Sequence, residues 1–218
     1  MTLTNFMDVF INRYACKHFD ATKKINSEDF MTIMEAARLS PSSFGFEPWK
    51  FLLIENEQIK KNLRPFAWGA LNSLDGASHF VIALSRKALT AESDYAKHII
   101  EDVKGIPLEQ AQKQLAFFQQ FQANDFKLLD NHRTLFDWSS KQSYIPLANM
   151  MTAAQFLGID SCPIEGFNQQ QVENYLTSQS LMDDKQFGVS YMVSFGYGAT
   201  ERPQKKRQKM SEILQVIP

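Results

Sequence analysis

The chain has 218 residues, enough for one sizeable core, and a formal net charge of −1. With no global basic field, nucleic acid and anionic membrane surfaces are excluded as partners at the level of bulk electrostatics. The two cysteines, Cys16 and Cys162, are too few for a disulfide framework, and no apolar run approaches the ~20 residues that span a bilayer. The only early apolar stretch is interrupted by Asp8 and Asn12, so no secretory signal is read and a reducing cytoplasm is the expected setting.

A short amphipathic helix is predicted over Thr4 to Arg13, with Phe6, Val9, Phe10 and Tyr14 at helical spacing. A second begins near Asn26, which can cap it while Ile25 and Phe30 form a hydrophobic staple. Its buried stripe is Phe30, Ile33, Met34 and Ala37, and Pro41 should end it at Ser40. A turn-rich loop, Pro41 to Pro48, leads into a strand from Trp49 to Ile54. A loop containing Trp68, Gly69 and Gly76 precedes a second strand, His79 to Leu84.

The middle of the sequence reads as helical. One helix starts at Pro107, with Leu108, Ala111, Leu115 and Phe118 on one face. After a polar stretch, Asp125 to Asn131, a long helix covers Leu135 to Leu157; Pro146 should bend it and Gly158 should cap it. Pro163-Ile164-Glu165-Gly166-Phe167 reads as a tight connection before a short helix capped by Asn168. A third strand runs from Gly188 to Tyr197, followed by a basic tail (Arg202 to Lys209) and an apolar end (Ile213 to Ile217). This order is no regular βαβ alternation and no G-x-G-x-x-G follows a strand, so an α+β layer fold in one domain, 1–218, is expected rather than a dinucleotide-binding sheet.

Three segments stand out. Arg13 and Lys17 place two cations at the end of an apolar helix, where they suit the helix dipole or could hold an anion. Lys205-Lys206-Arg207 is either a solvated run or a phosphate grip, Arg binding in bidentate fashion and Lys as a point charge. The Pro163–Phe167 turn either joins two elements or displays its peptide amides to a flat, electron-accepting ring. The histidines show no metal-ligand spacing, and the cysteines, far apart in sequence, read as buried structural thiols.

At these segments the sequence resembles the FMN-dependent nitroreductase and flavin reductase family along nearly its whole length. The opening R-x-S-x-[RK]-x-F motif is matched by Arg13-Tyr14-Ala15-Cys16-Lys17-His18-Phe19. The L-S-P-S-S-x-N-x-Q-P-W motif is matched by Leu39-Ser40-Pro41-Ser42-Ser43-Phe44-Gly45-Phe46-Glu47-Pro48-Trp49. P-I-E-G-F stands intact at Pro163 to Phe167, and the closing K-x-R at Lys205-Lys206-Arg207.

The resemblance implies a mostly antiparallel sheet flanked by helices, in a homodimer whose apolar tail, Ile213 to Ile217, wraps the partner. It implies non-covalent FMN between protomers: Arg13, Tyr14, Ala15, Lys205 and Arg207 around the phosphate and ribityl chain, and Lys17 at the N1 and C2-carbonyl edge. Pro41, Ser42, Ser43 and Gly45 would come from the other subunit. Pro163 and Ile164 would lie beneath the ring, and the N–H groups of Glu165 and Gly166 would reach N5 and O4. Phe44, Phe121 and Phe126 fall at substrate-facing positions, although helix-to-helix packing is the plainer role for the last two. The implied reaction is ping-pong transfer from NAD(P)H to a nitroaromatic, quinone, enone or flavin acceptor, with the hydride carried by the cofactor and no catalytic side chain. Departures are Ala15 for the motif serine, Gly45 for Asn and Glu47 for Gln; strict spacing also puts Ala70 and Ser73 at the pyrimidine edge, where Asn72 would serve only after a backbone shift. They motivate the alternative of a flavin-sequestering or regulatory dimer with little turnover.

Overall fold

The computed structural model describes residues 3–218. Helix α1, Leu3–Asn12, leads into an extended segment that bridges Ala15 to Ser161 and Phe19 to Gly198. Helix α2, Ser27–Arg38, is capped as the sequence predicts: the Asn26 side chain accepts from the Asp29 N–H, and Ile25 and Phe30 are both buried. The four strands are β1 (Trp49–Leu53), β2 (His79–Arg86), β3 (Asp160–Ile164) and β4 (Phe187–Gly196). They form one antiparallel sheet in the order β1-β2-β4-β3, with a register shift between Ala83 and Leu84. The resulting α+β fold has helices on both faces of this sheet.

Both faces of the central strands are covered, which is why β2 reads as a continuous apolar run rather than an alternating one. On one face Phe80, Ile82, Leu84, Ile164 and Met192 pack with α3 (Glu57–Leu63), α4 (Leu71–Gly76) and α8 (Gln169–Ser178). On the other, Val81, Ala83, Tyr191, Val193 and Phe195 meet α2 and α7, His132–Phe156. Helix α7 runs unbroken through Pro146, and Gly158 takes the left-handed conformation that closes it (φ +76°). Each fully buried aliphatic side chain here contributes roughly 1.5–3 kcal/mol.

A third cluster forms at one end of the molecule, under α5 (Asp94–His98), α6 (Leu108–Gln120) and two π-helical turns, Ile99–Val103 and Phe121–Asp125. Several expectations need correcting. Pro107 is the extended cap of α6 (ψ 144°) rather than its first residue, and Leu108 lies outside the buried face, at 63% exposure. The Pro163 segment is preceded by a strand: Pro163 lies within β3, an edge strand that tolerates a residue without an N–H. Helix α4 falls in the stretch read as loop, and α3 and α5 fall where the sequence predicts no element. Of the α1 stripe only Val9 is buried; Phe6 and Phe10 pack edge to face with each other while remaining more than 40% exposed.

Candidate functional site

The two ends of the chain meet. Residues after β4 turn back at Gly198, whose N–H donates to the Asp160 carboxylate at 2.8 Å; Arg202 pairs with the same side chain at 3.1 Å. Asp160 is nearly inaccessible, so it fixes the direction in which the tail leaves the sheet. The tail then crosses the C-terminus of α1. There the Lys205 ammonium donates to the carbonyl oxygens of Phe10 (2.5 Å) and Arg13, neutralising the negative end of that helix.

This crossing gathers like charge. Burial lowers the pKa of Arg13, and the Arg207 guanidinium lowers it further; burial, Arg13 and Arg207 together lower that of Lys205. Among the described residues none of these three cations has a carboxylate within ion-pair distance. Converging cations without a counter-charge raise the free energy of the protein alone and lower that of any complex with an anion. Tyr14 lies alongside, its hydroxyl buried without a hydrogen-bond partner among the described residues and its ring 6.0 Å from the Arg202 guanidinium. Ala15 is exposed beside them, paired with Ser161 across the parallel bridge.

Lys17 stands exposed at the other end of the same segment and donates to the Cys162 thiol at 3.4 Å. The two cysteines, remote in sequence, lie on neighbouring strand-like segments: the Cys16 N–H donates to the Ser161 carbonyl at 2.9 Å. Both are fully buried, and burial raises both thiol pKa values, Lys17 and Ser73 partly offsetting this at Cys162. The side chain turned inward from α4 is therefore Ser73, whereas Asn72 is exposed on that helix.

Past Ile164 the chain leaves β3 and makes the Glu165–Gly166–Phe167 turn, closed by the Phe167 N–H on the Glu165 carbonyl (2.9 Å). Gly166 is held against the Trp68–Gly69 turn: the Gly69 N–H donates to its carbonyl at 2.6 Å. A Cβ at Gly166 would come within 2.8 Å of Gly69 Cα and Trp68 Cζ3, so this close approach requires glycine. The N–H groups of Glu165 and Gly166 donate to no acceptor among the described residues. Pro163 is half-buried and Ile164 buried beneath them. Tyr144 on α7 donates to the Glu165 carboxylate.

The 41–48 loop is shaped by three residues at positive φ: Phe44 (57°), Gly45 (63°) and Glu47 (48°). Gln142 of α7 accepts from the Ser43 N–H (2.8 Å), and Ser42 Oγ accepts from the Glu47 N–H (2.9 Å). Pro41 is exposed at its start. The glycine at position 45 has a local cause. Its φ of +63° is one that L side chains rarely adopt, and a Cβ there would lie 3.0 Å from Lys104 Nζ, which donates to the Phe44 carbonyl at 2.5 Å and would have to shift. Phe44 turns its ring into the third core cluster, 4.9 Å from Phe118 and 5.0 Å from Phe121. Phe121 also packs on Trp138 and Phe126, so both Phe44 and Phe121 spend their faces on packing; Phe126, 58% exposed, keeps one free.

The sequence motifs thus occupy three places: cations and Tyr14 at the crossing of the chain ends, Lys17 and the displayed amides beside β3, and the 41–48 loop across α7. What spacing alone missed is the tie residues that set them, Asp160, Tyr144, Gln142 and Lys104. Asp and Gln next to apolar strand or helix positions were the available signal.

The profile of the family described as "Nitroreductase family" matches residues 11–197. A Staphylococcus epidermidis protein provisionally named an NAD(P)H nitroreductase is 48% identical over 212 residues, covering 97% of this chain and 96% of its own. A Staphylococcus aureus protein with the same provisional name is 47% identical over the same length, covering 97% and 95%. Among solved structures, a nitroreductase family protein from Streptococcus pneumoniae superposes with a TM-score of 0.79 at 22% identity, covering 97% of this chain and all of that one. A provisionally assigned nitroreductase from Exiguobacterium sibiricum, crystallised in complex with FMN, gives 0.77 at 22% identity, covering 100% and 99%.

Proposed function

This chain belongs to the nitroreductase family, and we propose on that footing that it is an FMN-dependent NAD(P)H oxidoreductase working as a homodimer. The observation that carries the reading is the convergence of Arg13, Lys205 and Arg207 without a carboxylate to balance them. A phosphate monoester is the anion they suit: the two guanidinium forks can grip its oxygens, and Lys205, its ammonium bonded to the Phe10 and Arg13 carbonyls, adds positive charge nearby. The unspent N–H groups of Glu165 and Gly166 and the Lys17 ammonium fit the polar edge of a flavin, and Pro163 and Ile164 give it an apolar floor. Bound there, FMN supplies two-electron transfer between a nicotinamide and an organic acceptor.

The chain's own residues then bind and orient. Lys17 offers positive charge at the ring edge where reduction adds negative charge, which favours the reduced state. The amides beside β3 hold their donors in place without reorganisation, because Gly166 is locked against Gly69. Pro41, Ser42, Ser43 and Gly45 would close the site from the second subunit, with Phe126 over the acceptor. Asn72 keeps its place on the exposed face of α4, and Ser73 supports Lys17 through Cys162.

Dimerisation is supported by apolar side chains that one chain leaves exposed: Phe6, Phe10 and Ile11 on α1, and Leu214, Val216 and Ile217 in the tail. No helix among the described residues is long and apolar enough to cross a membrane. The whole chain acts as one unit in this reading, and its acceptors are nitroaromatics, quinones, enones or free flavin. The test is direct. Purified protein should be yellow, and its flavin band should bleach anaerobically on adding NADH or NADPH and return with a quinone. A preparation that stays colourless after FMN is added overturns the reading; one that binds FMN without turnover points to a sequestering dimer.

A further inference from the structure

The Glu165–Gly166 turn is held from one side by backbone. The Gly69 N–H donates to the Gly166 carbonyl (2.6 Å) and the Asn168 N–H to the Phe66 carbonyl (2.7 Å), fixing the far half of the turn to the α3–α4 region. The near half, Glu165, is closed only within the turn, its carbonyl accepting from the Phe167 N–H at 2.9 Å. Its tie to another element among the described residues is a side-chain bond, from the Tyr144 hydroxyl to the Glu165 carboxylate.

That tether is rigid. The Tyr144 ring packs edge-on against Tyr191, with centroids 5.2 Å apart and planes at 67°. Tyr191 is fully buried, and its hydroxyl donates to the Ser143 carbonyl at 3.0 Å, one residue from Tyr144. The phenol therefore reaches Glu165 from a fixed base on α7. It draws the carboxylate into a groove of about 740 Å³ that Tyr144, Glu165, Lys141, Arg133 and Phe167 help to line.

We propose that Tyr144 is a positioning residue for the flavin: by holding the Glu165 carboxylate toward α7, it aims the Glu165 and Gly166 amides and keeps a negative charge off the ring edge. This rests on the FMN-dependent reading above. Its consequence is electrostatic as well as geometric. A carboxylate freed beside a ring gaining electrons opposes that gain, and misdirected amides no longer favour it. Both effects make reduction harder.

The test is Tyr144→Phe, which keeps the ring against Tyr191 and removes only the donor. In protein freed of FMN, hydrogen exchange of the bonded turn amides, Phe167 and Asn168, should quicken at least about threefold. In the loaded protein, the two-electron midpoint potential should fall by about 30 mV, the equivalent of a tenfold change in the reduction equilibrium. Glu165→Gln keeps an acceptor for the phenol and removes the charge. It should hold exchange near the wild-type rate, and Tyr144→Phe/Glu165→Gln should recover part of the lost potential. Unchanged exchange and potential in Tyr144→Phe would overturn the proposal. So would faster exchange at constant potential, which would make the bond a structural brace alone. If wild-type protein binds no FMN, the functional reading itself has failed and this inference goes with it; a yellow, reducible wild type with an indifferent Tyr144→Phe refutes the inference alone.

Discussion

The sheet with α2 and α7 and the two chain ends are built on opposite principles. In the first, the largest side chains are buried on both faces, from Ile33 and Ile82 to Tyr191 and Phe195. At the ends, α1 and the segment after Gly198 expose Phe10, Leu214 and Val216 while gathering three cations that repel. The body is stable by its own contacts. The ends leave charge and apolar surface uncovered, which the proposed cofactor and second subunit would cover. Physical incompleteness of this kind locates function better than any single motif.

The contrast breaks first at Arg13 and Arg207. Each lost charge-assisted contact costs roughly 1.5–3 kcal/mol, so Arg13→Ala/Arg207→Ala should weaken FMN at least about 100-fold in a fluorescence titration. Because the charged forms repel, the FMN-free variant should melt no lower than FMN-free wild type. Ile82→Ala, in the body, should do the reverse: a loss of about 2–5 kcal/mol in denaturant unfolding, with FMN affinity per folded molecule unchanged. If the arginine variant unfolds readily or keeps its flavin, the division between the two regions is wrong.

The seam between them is sharper still at Gly166. Gly166→Ala forces a methyl into Gly69 and Trp68, and the expected cost is about 1–3 kcal/mol of stability, together with a shifted flavin absorption band as the amides move. A lowered melting point with an unaltered spectrum would mean the turn does not face the ring.

The smallest effect is on pH. His79 stacks on Phe30 at 3.9 Å, and burial lowers its pKa below the free value. A histidine whose folded pKa is depressed binds its proton more readily when unfolded, so stability rises with pH between the folded and unfolded values. Cooling this to a measurement, the protein should lose stability as pH falls below about 6.5, the unfolded histidine value, and His79→Phe should flatten that slope. A slope that persists in the variant assigns it to another group.

Much of this was legible in the sequence where the signal is local. Asn26 before an apolar stripe made a cap, Gly158 made a C-terminus, and the apolar run at β2 made a strand, because capping and burial act within a few residues. Short helices α3 and α4 escaped for want of a full period of apolar residues, and β3 escaped because Pro163 argues against a strand unless its edge position is known. The four motifs in order carried the family, and they nominate Lys17 and Glu165 for the roles proposed above.

Sequence by itself determined the α+β class, the main strands and the family. Only tertiary structure decided that Lys205 would seal α1, that Lys104 would hold the Phe44 carbonyl, that Ser73 rather than Asn72 would face inward, and that Tyr144 would hold Glu165. The reason is range: a cap or a stripe is set by neighbours along the chain, whereas each of these contacts joins residues tens to nearly two hundred positions apart, whose meeting depends on how the whole sheet and its helices are stacked.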